Sequence, residues 1–269
     1  MDENFYDNIR NTLAVVLRIR QEPKFTSDTE IEVQETTVGH GSGFVCEYQG
    51  KSFVITAAHV VGDKKPGEFL KAVVKNKAGS WVGEKSVPVL TVDKSRDLAV
   101  LSLNVSPDAC CPAGFPEPAH DISSRLRVGV DVYYYGFPYV PEEGKYVPVV
   151  QKGMIAGFDE RTDGKDRYVL QGLANPGNSG GPVFTPDSKV IGIVVEYVPP
   201  LQRARLAIID QFNQIIQVID KPSGLSLVVP INYAIAMLKN AVALEVPDST
   251  IPASGTDASK VSAVKISPE

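Results

Sequence analysis

The sequence predicts an all-β protein built from two small barrels. Three observations carry this expectation. Short apolar segments of strand length recur in both halves of the 269 residues. Glycine-marked turns separate several of them, as at Gln49-Gly50-Lys51. A stretch at 104–124, with Pro107, Pro112, Pro116 and Pro118 and no periodicity, divides the halves as a linker.

The elements follow in order. Residues 1–12 form a short amphipathic lead, with Phe5, Ile9 and Leu13 at helical spacing. A strand covers 14–19, and a polar, acidic loop runs from about 21 to 37. Gly41-Ser42-Gly43-Phe44 opens a strand that pairs, across the Gly50 turn, with Phe53-Val54-Ile55-Thr56. That second strand runs into Ala57-Ala58-His59. Further strands are expected at about 69–75, 87–92 and 98–103, the last starting directly after Asp97. Barrel one thus spans about 14–103 and barrel two about 125–245. Barrel two has expected strands at 128–135, 147–158, 167–171, 190–196 and 225–229. Two segments follow a 3.6-residue period: 201–219, read as a helical insertion, and 233–244, read as a C-terminal helix. Residues 246–269, rich in Ser, Pro, Thr and Ala, are expected to be a disordered tail.

Composition excludes several classes. Apolar content is 43% and charged content 22%, ordinary for a globular chain. Net charge is -5 with no run of Lys and Arg, which argues against nucleic acid or an anionic membrane as partner. Apolar runs such as 190–195 are far shorter than the roughly 18 residues of a spanning helix. The start, Met1-Asp2-Glu3-Asn4, carries no signal-peptide pattern, and the three cysteines, Cys46, Cys110 and Cys111, are no disulfide framework. A cytoplasmic location with reduced thiols is the expectation. No His/Cys/Asp grouping has metal-ligand spacing, so neither metal nor cofactor is expected.

The chemistry centres on Asn175-Pro176-Gly177-Asn178-Ser179-Gly180-Gly181-Pro182. Glycines and prolines frame a single hydroxyl, a loop able to hold a nucleophile and turn backbone N–H groups toward one point. A tight turn between strands is the plain alternative for the octet alone. Chain order discriminates further. The α/β-hydrolase elbow needs a His after the serine, and His40, His59 and His120 all precede Ser179. The subtilisin order would recruit His120 from the Pro-rich linker, a poor support for a base. The order His59, Asp97, Ser179 fits. Ser179 would attack a carbonyl, His59 would take its proton, and Asp97 would fix the imidazole tautomer. Backbone N–H groups along Gly177, Asn178 and Ser179, chiefly the first and last, would bind the oxyanion. Asp93 reads as a turn residue, His40 as a structural histidine near the site, and Cys46 as core.

Five blocks in this order resemble the chymotrypsin-fold, trypsin-like serine peptidases, and among them the Htr/Deg type. They are Gly41-Ser42-Gly43-Phe44, the 55–61 segment with His59, Asp97-Leu98-Ala99-Val100-Leu101, residues 171–182, and 192–195 followed by 228–232. The resemblance implies two perpendicular six-stranded barrels with the triad in the cleft, and a polypeptide substrate. It places Leu173 at the base of the primary pocket, implying cleavage after small or medium apolar residues. It also implies main-chain pairing of substrate with Val194-Val195-Glu196. Zymogen-activated relatives carry Asp where this chain has Asn178, so activation by N-terminal cleavage is not implied. A PDZ domain after residue 245 is not expected, and an oligomer is compatible with the resemblance. The competing expectation is a latent or non-catalytic peptide-binding module on the same fold.

Overall fold

The computed structural model describes residues 9, 11–25, 31–63, 65–76, 78–104, 126–138, 146–159, 166–197, 205–209, 215–220 and 223–245. The 104–124 linker beyond residue 104, with Cys110, Cys111 and His120, lies outside them, as do the 246–269 tail and most of the N-terminal lead.

The first half forms a seven-stranded antiparallel sheet. Its strands are β1 (Leu13–Phe25), β2 (Ile31–Tyr48), β3 (Lys51–Thr56), β4 (Glu68–Lys75), β5 (Trp81–Lys85), β6 (Val89–Asp93) and β7 (Leu98–Leu103). Their order is β5-β4-β1-β2-β3-β7-β6. The expected loop at 21–37 is largely strand, because Gln21 through Phe25 pair with Glu35 back to Ile31 in a long β1–β2 hairpin. Its polar, exposed side chains concealed it: the paired backbone, and not burial, defines this end of the ribbon.

Among the described residues the expected barrel one is an open sheet. Consecutive strands β5 and β6 lie at opposite edges of the sheet, joined by Ser86-Val87-Pro88. Along this link Val87 N–H donates to Leu70 O (3.0 Å) and Ser102 N–H donates to Pro88 O (3.0 Å). Pro88 has no N–H to extend a ladder, and Ser86 sits at φ 58°. The link therefore spans the seam with single hydrogen bonds where a ladder would close it.

The second half does close, as the six-stranded barrel β10-β15-β12-β11-β8-β9. It comprises β8 (Asp131–Gly136), β9 (Val149–Asp159), β10 (Arg167–Gln171), β11 (Pro182–Phe184), β12 (Val190–Tyr197) and β15 (Leu225–Pro230). Strand alternation separates its two faces. Val132 and Tyr134 join the barrel interior with Ile155, Leu170, Val183 and Val228. Tyr133 and Tyr135 point the other way, into an apolar core shared with Phe44, Phe53 and Leu98 of the first half. Trp81 meets Phe137 edge-on at 5.7 Å across the same junction.

The expected helix at 201–219 is instead a two-stranded ribbon, β13 (Arg205–Ile209) paired with β14 (Ile215–Asp220). Six β-branched residues, Ile208, Ile209, Ile215, Ile216, Val218 and Ile219, explain the outcome. Their stiff side chains favour a pleated backbone over a helix, and a chance 3.6-residue spacing does not reverse that. The C-terminal helix stands, as α2 (Ile231–Glu245), following the single turn α1 (Ala58–Val61). It buries Ile231, Ala234, Leu238 and Val242 and packs against β6, β7 and β12.

The β6–β7 turn carries a carboxylate whose proton affinity bears on stability. Burial alone would raise the Asp93 pKa, but the Ser95 hydroxyl, the Arg96 guanidinium and both backbone N–H groups hold it at about 2. A carboxylate depressed on folding stabilises the protein above its unfolded pKa, and that contribution is lost as pH falls toward the folded value. Asp93→Asn is therefore expected to cost about 1 kcal/mol at pH 7, discounted for partial exposure. The loss should shrink between pH 4 and 2, as read by denaturant unfolding at each pH.

Candidate active site

The three expected triad residues lie in short segments beside strands: His59 after β3, Asp97 directly before β7 and Ser179 in the loop before β11. His59 lies on α1, just beyond β3. Ala58, Val60 and Val61 turn inward, which leaves the imidazole side chain half exposed (50%). Asp97 lies between β6 and β7, at φ 60°, a left-handed conformation that Asp tolerates better than most residues. Asp93 builds the preceding turn: its Oδ1 accepts from Ser95 N–H (2.9 Å) and Arg96 N–H (3.0 Å). From the second half, buried Arg167 donates Nη2–H to the Arg96 carbonyl at 3.0 Å. The Arg96 guanidinium lies over the Tyr233 ring at 4.4 Å. Strand, barrel and helix thus brace the residue next to Asp97.

Three contacts join Asp97 to the His59 segment. Its Oδ2 lies 2.7 Å from His59 Nδ1, and its Oδ1 accepts His59 N–H at 2.9 Å. Its carbonyl accepts Ala58 N–H at 3.2 Å. The ring is fixed in place and orientation, with Nδ1 held by the carboxylate. The Asp97 hydrogen bond raises the His59 pKa, burial opposes it, and the charges of Asp97 and Glu196 add to the rise.

The serine loop is built on a type II turn. Asn178 N–H donates to Asn175 O at 3.0 Å, Pro176 occupies the second position, and Gly177 the third at φ 94°. Positive φ at that position separates type II from type I, and the two differ by a flip of the central peptide, here Pro176–Gly177. Among the described residues neither the Gly177 nor the Ser179 N–H has an acceptor. The Asn178 N–H, expected among the oxyanion donors, is engaged inside the turn.

Ser42 fastens this loop to the first half. It is fully buried, and its Oγ donates to Gly177 O (2.6 Å) while accepting from Phe137 N–H (2.9 Å). Its N–H donates to Ser179 O at 2.8 Å, and its carbonyl accepts the Thr56 hydroxyl at 2.6 Å. Gly180 then packs directly on Thr56, where an added Cβ would lie 2.9 Å from Ala57 N. The loop bearing Ser179 is seated against the segment that leads into His59.

The remaining expected residues divide. Leu173 lies at the surface, 36% exposed, and its carbonyl accepts from Tyr134 Oη–H (3.2 Å) and Gln151 Nε2–H (3.0 Å). Burial pushes the Tyr134 phenol up to about 12, which keeps it a donor. Val194 is corrected as a main-chain substrate partner. Its N–H donates to Gly181 O (2.9 Å) and its carbonyl accepts Gly180 N–H (2.7 Å), so both groups hold the serine loop. Val195 falls at a register slip between β12 and β15, where Glu196 resumes pairing with Leu227. His40 is half-buried. Burial pushes its pKa down against a hydrogen bond to the Phe137 backbone, and its Nε2 lies 2.8 Å from where a Cβ on Gly177 would sit. Sequence reading passed over Ser42, Thr56 and Gln151. Ser42 and Thr56 lie within the blocks that carry the resemblance, which gives them no role, and Gln151 lies outside those blocks. Among the described residues no cluster of His, Cys, Asp and Glu could hold a metal ion, and no helix is long and apolar enough to cross a membrane.

A family model for the trypsin-like peptidase domain matches residues 41–193. The chain belongs to the trypsin-like peptidase family. The matched segment runs from the glycine block through His59, Asp97 and Ser179 into β12. HtrA-like serine proteases of Staphylococcus aureus are similar to it. The strain USA300 protein is 27% identical over 200 residues, covering 70% of this chain and 24% of the relative. The strain MRSA252 protein is 26% identical with the same coverage. This trypsin-like chain thus spans about a quarter of the length of the curated relatives it matches. The crystal structure of Deg5 superposes with a TM-score of 0.60 at 17% identity, over 90% of this chain and 93% of that one, a likeness of fold.

Two outcomes are expected. Ser42→Ala would leave Gly177 O and Phe137 N–H buried without their partner, at a cost of about 2 kcal/mol and a drop of roughly 4–8 °C in Tm by calorimetry. Glu196→Gln removes a negative charge that favours the imidazolium, so the His59 pKa should fall in an NMR titration. An unchanged or raised value would count against that electrostatic assignment.

Proposed function

We propose that this chain is a serine endopeptidase in which Ser179, His59 and Asp97 act as the triad. The observation that carries the reading is the clamped imidazole. Asp97 holds Nδ1 at 2.7 Å, which leaves Nε2 as the ring's proton acceptor. Ser179 Oγ attacks the scissile carbonyl carbon as its proton passes to His59 Nε2, and the carbonyl π pair moves onto oxygen. The N–H groups of Gly177 and Ser179 receive that oxyanion, each worth about 3–4 kcal/mol in comparable sites. The tetrahedral intermediate collapses, the C–N bond breaks, and the imidazolium gives its proton to the leaving amine. Water, deprotonated by His59, then releases the acyl group from Ser179. The Asp97 and Glu196 charges favour the imidazolium formed in both halves of the cycle.

The type II turn supports an oxyanion site formed before substrate arrives, and thereby favours this reading over a latent module. Leu173, by its resemblance position, supports cleavage after small or medium apolar residues, since it offers no charge to neutralise Arg or Lys. Substrate backbone would pair along Val195 and Glu196 at the exposed end of β12.

The test is labelling with a fluorophosphonate probe. The intact protein should react, and Ser179→Ala and His59→Ala should not. Asp97→Asn should slow peptide hydrolysis by ~10⁴-fold, the scale of a lost tautomer restraint. An intact protein that does not label would overturn the proposal in favour of a latent or non-catalytic module. Strict cleavage after Arg in a peptide library would overturn the pocket assignment alone.

A further inference from the structure

We infer that Gln151 is a positioning residue, tying the oxyanion turn to the wall of the primary pocket through the two ends of one amide. The inference rests on the proposed roles of Gly177, Ser179 and Leu173. Gln151 stands on β9, partly buried, 22 or more residues before the segment it holds. Its Oε1 accepts Asn178 Nδ2–H at 2.6 Å, and its Nε2–H donates to Leu173 O at 3.0 Å. Donor and acceptor alternate along Asn178, Gln151 and Leu173, so one amide orientation satisfies both bonds at once.

The placement gives the bridge its consequence. Leu173 and Asn178 are the two ends of the segment that contains Pro176 and Gly177. Gln151 closes the chord across that segment. Asn178 is fully buried; its N–H closes the type II turn, and its carbonyl accepts Gly181 N–H at 2.9 Å. The Ser179 N–H lies on the peptide that follows Asn178, and the Gly177 N–H lies one peptide further back in the turn that Asn178 closes, so displacement of Asn178 would re-aim both. Gln151 Oε1 holds the Asn178 side chain. Asn178 Oδ1 is buried with no partner among the described residues, so the Nδ2 end carries the anchoring. A P1 side chain pressing on Leu173 therefore loads the same amide that fixes the oxyanion donors. Pocket occupancy and donor geometry are mechanically coupled.

Two variants separate the ends of the bridge. Gln151→Met keeps length and loses both bonds. Gln151→Glu keeps an acceptor for Asn178 Nδ2 and loses the donor to Leu173 O. Gln151→Met should lower kcat on an apolar-P1 peptide and the fluorophosphonate acylation rate about 10-fold or more, the scale of a misplaced oxyanion donor, with a smaller change in KM. Gln151→Glu should recover most of the acylation rate and lose P1 discrimination. In a Ser179→Ala background, hydrogen exchange over residues 172–178 should rise in Gln151→Met. Wild-type acylation and wild-type exchange in Gln151→Met would overturn the inference. Equal defects in both variants would also overturn it, since they reduce Gln151 to a packing residue. A wild-type protein that is not acylated, with exchange still rising in the variant, would sink the enzymatic reading and leave the bridge standing.

Discussion

Ser42 is the residue through which the two halves become one site. It has no solvent contact, and each of its polar atoms is engaged. Two of those bonds hold the carbonyls of Gly177 and Ser179, one holds the Phe137 N–H, and one holds the Thr56 hydroxyl. Buried polar groups without partners are costly, so a network of this kind tolerates few arrangements. The carbonyls of residues 177 and 179 point into the first half. This fixes the Gly177–Asn178 and Ser179–Gly180 peptides, whose N–H groups are engaged by Asn175 O and Val194 O. A buried residue one position past a glycine on β2 therefore anchors a loop that lies more than 130 residues later in the chain.

The two sides of the site use different physics. The serine side is neutral throughout: a type II turn, amide bridges and hydroxyls hold it. The base side is charged. Asp97 meets His59 through both carboxylate oxygens, Glu196 adds a second negative charge, and Asp93, Arg96 and Arg167 brace the turn from outside. On the proposed reading, charge is concentrated where a proton would be received and returned, and geometry dominates where donors would be aimed.

Much of this was legible in the sequence because local patterns carried it. Alternation marked most strands, and the His59, Asp97 and Ser179 blocks each sit beside a strand. The failures have distinct physical causes. The 201–219 segment has a 3.6-residue spacing and a β-branched composition, and the composition decided. Polar residues at 21–37 concealed a ribbon defined by backbone pairing. Closure of the first barrel depends on Ser86 and Pro88 at one seam, which no strand pattern reports. Val194 and Asn178 occupy positions where the family resemblance suggested exposed backbone. Their hydrogen bonds are spent instead inside the serine loop. Gln151 was unreadable for another reason: a polar residue on a half-exposed strand looks solvated until the fold brings Asn178 to it.

The neutral character of the serine side constrains how the site responds to pH. The side-chain partner of Asn178 is the Gln151 amide, which does not titrate. The neighbouring Tyr134 stays protonated up to about 12, and burial favours the neutral form of His40. Two imidazoles remain as titrating groups: Asp97 raises the His59 pKa, and burial lowers that of His40 beside Gly177. As pH falls, His59 therefore takes up its proton before His40 does. On the proposed reading, acid silences the base before a charge appears beside the serine loop.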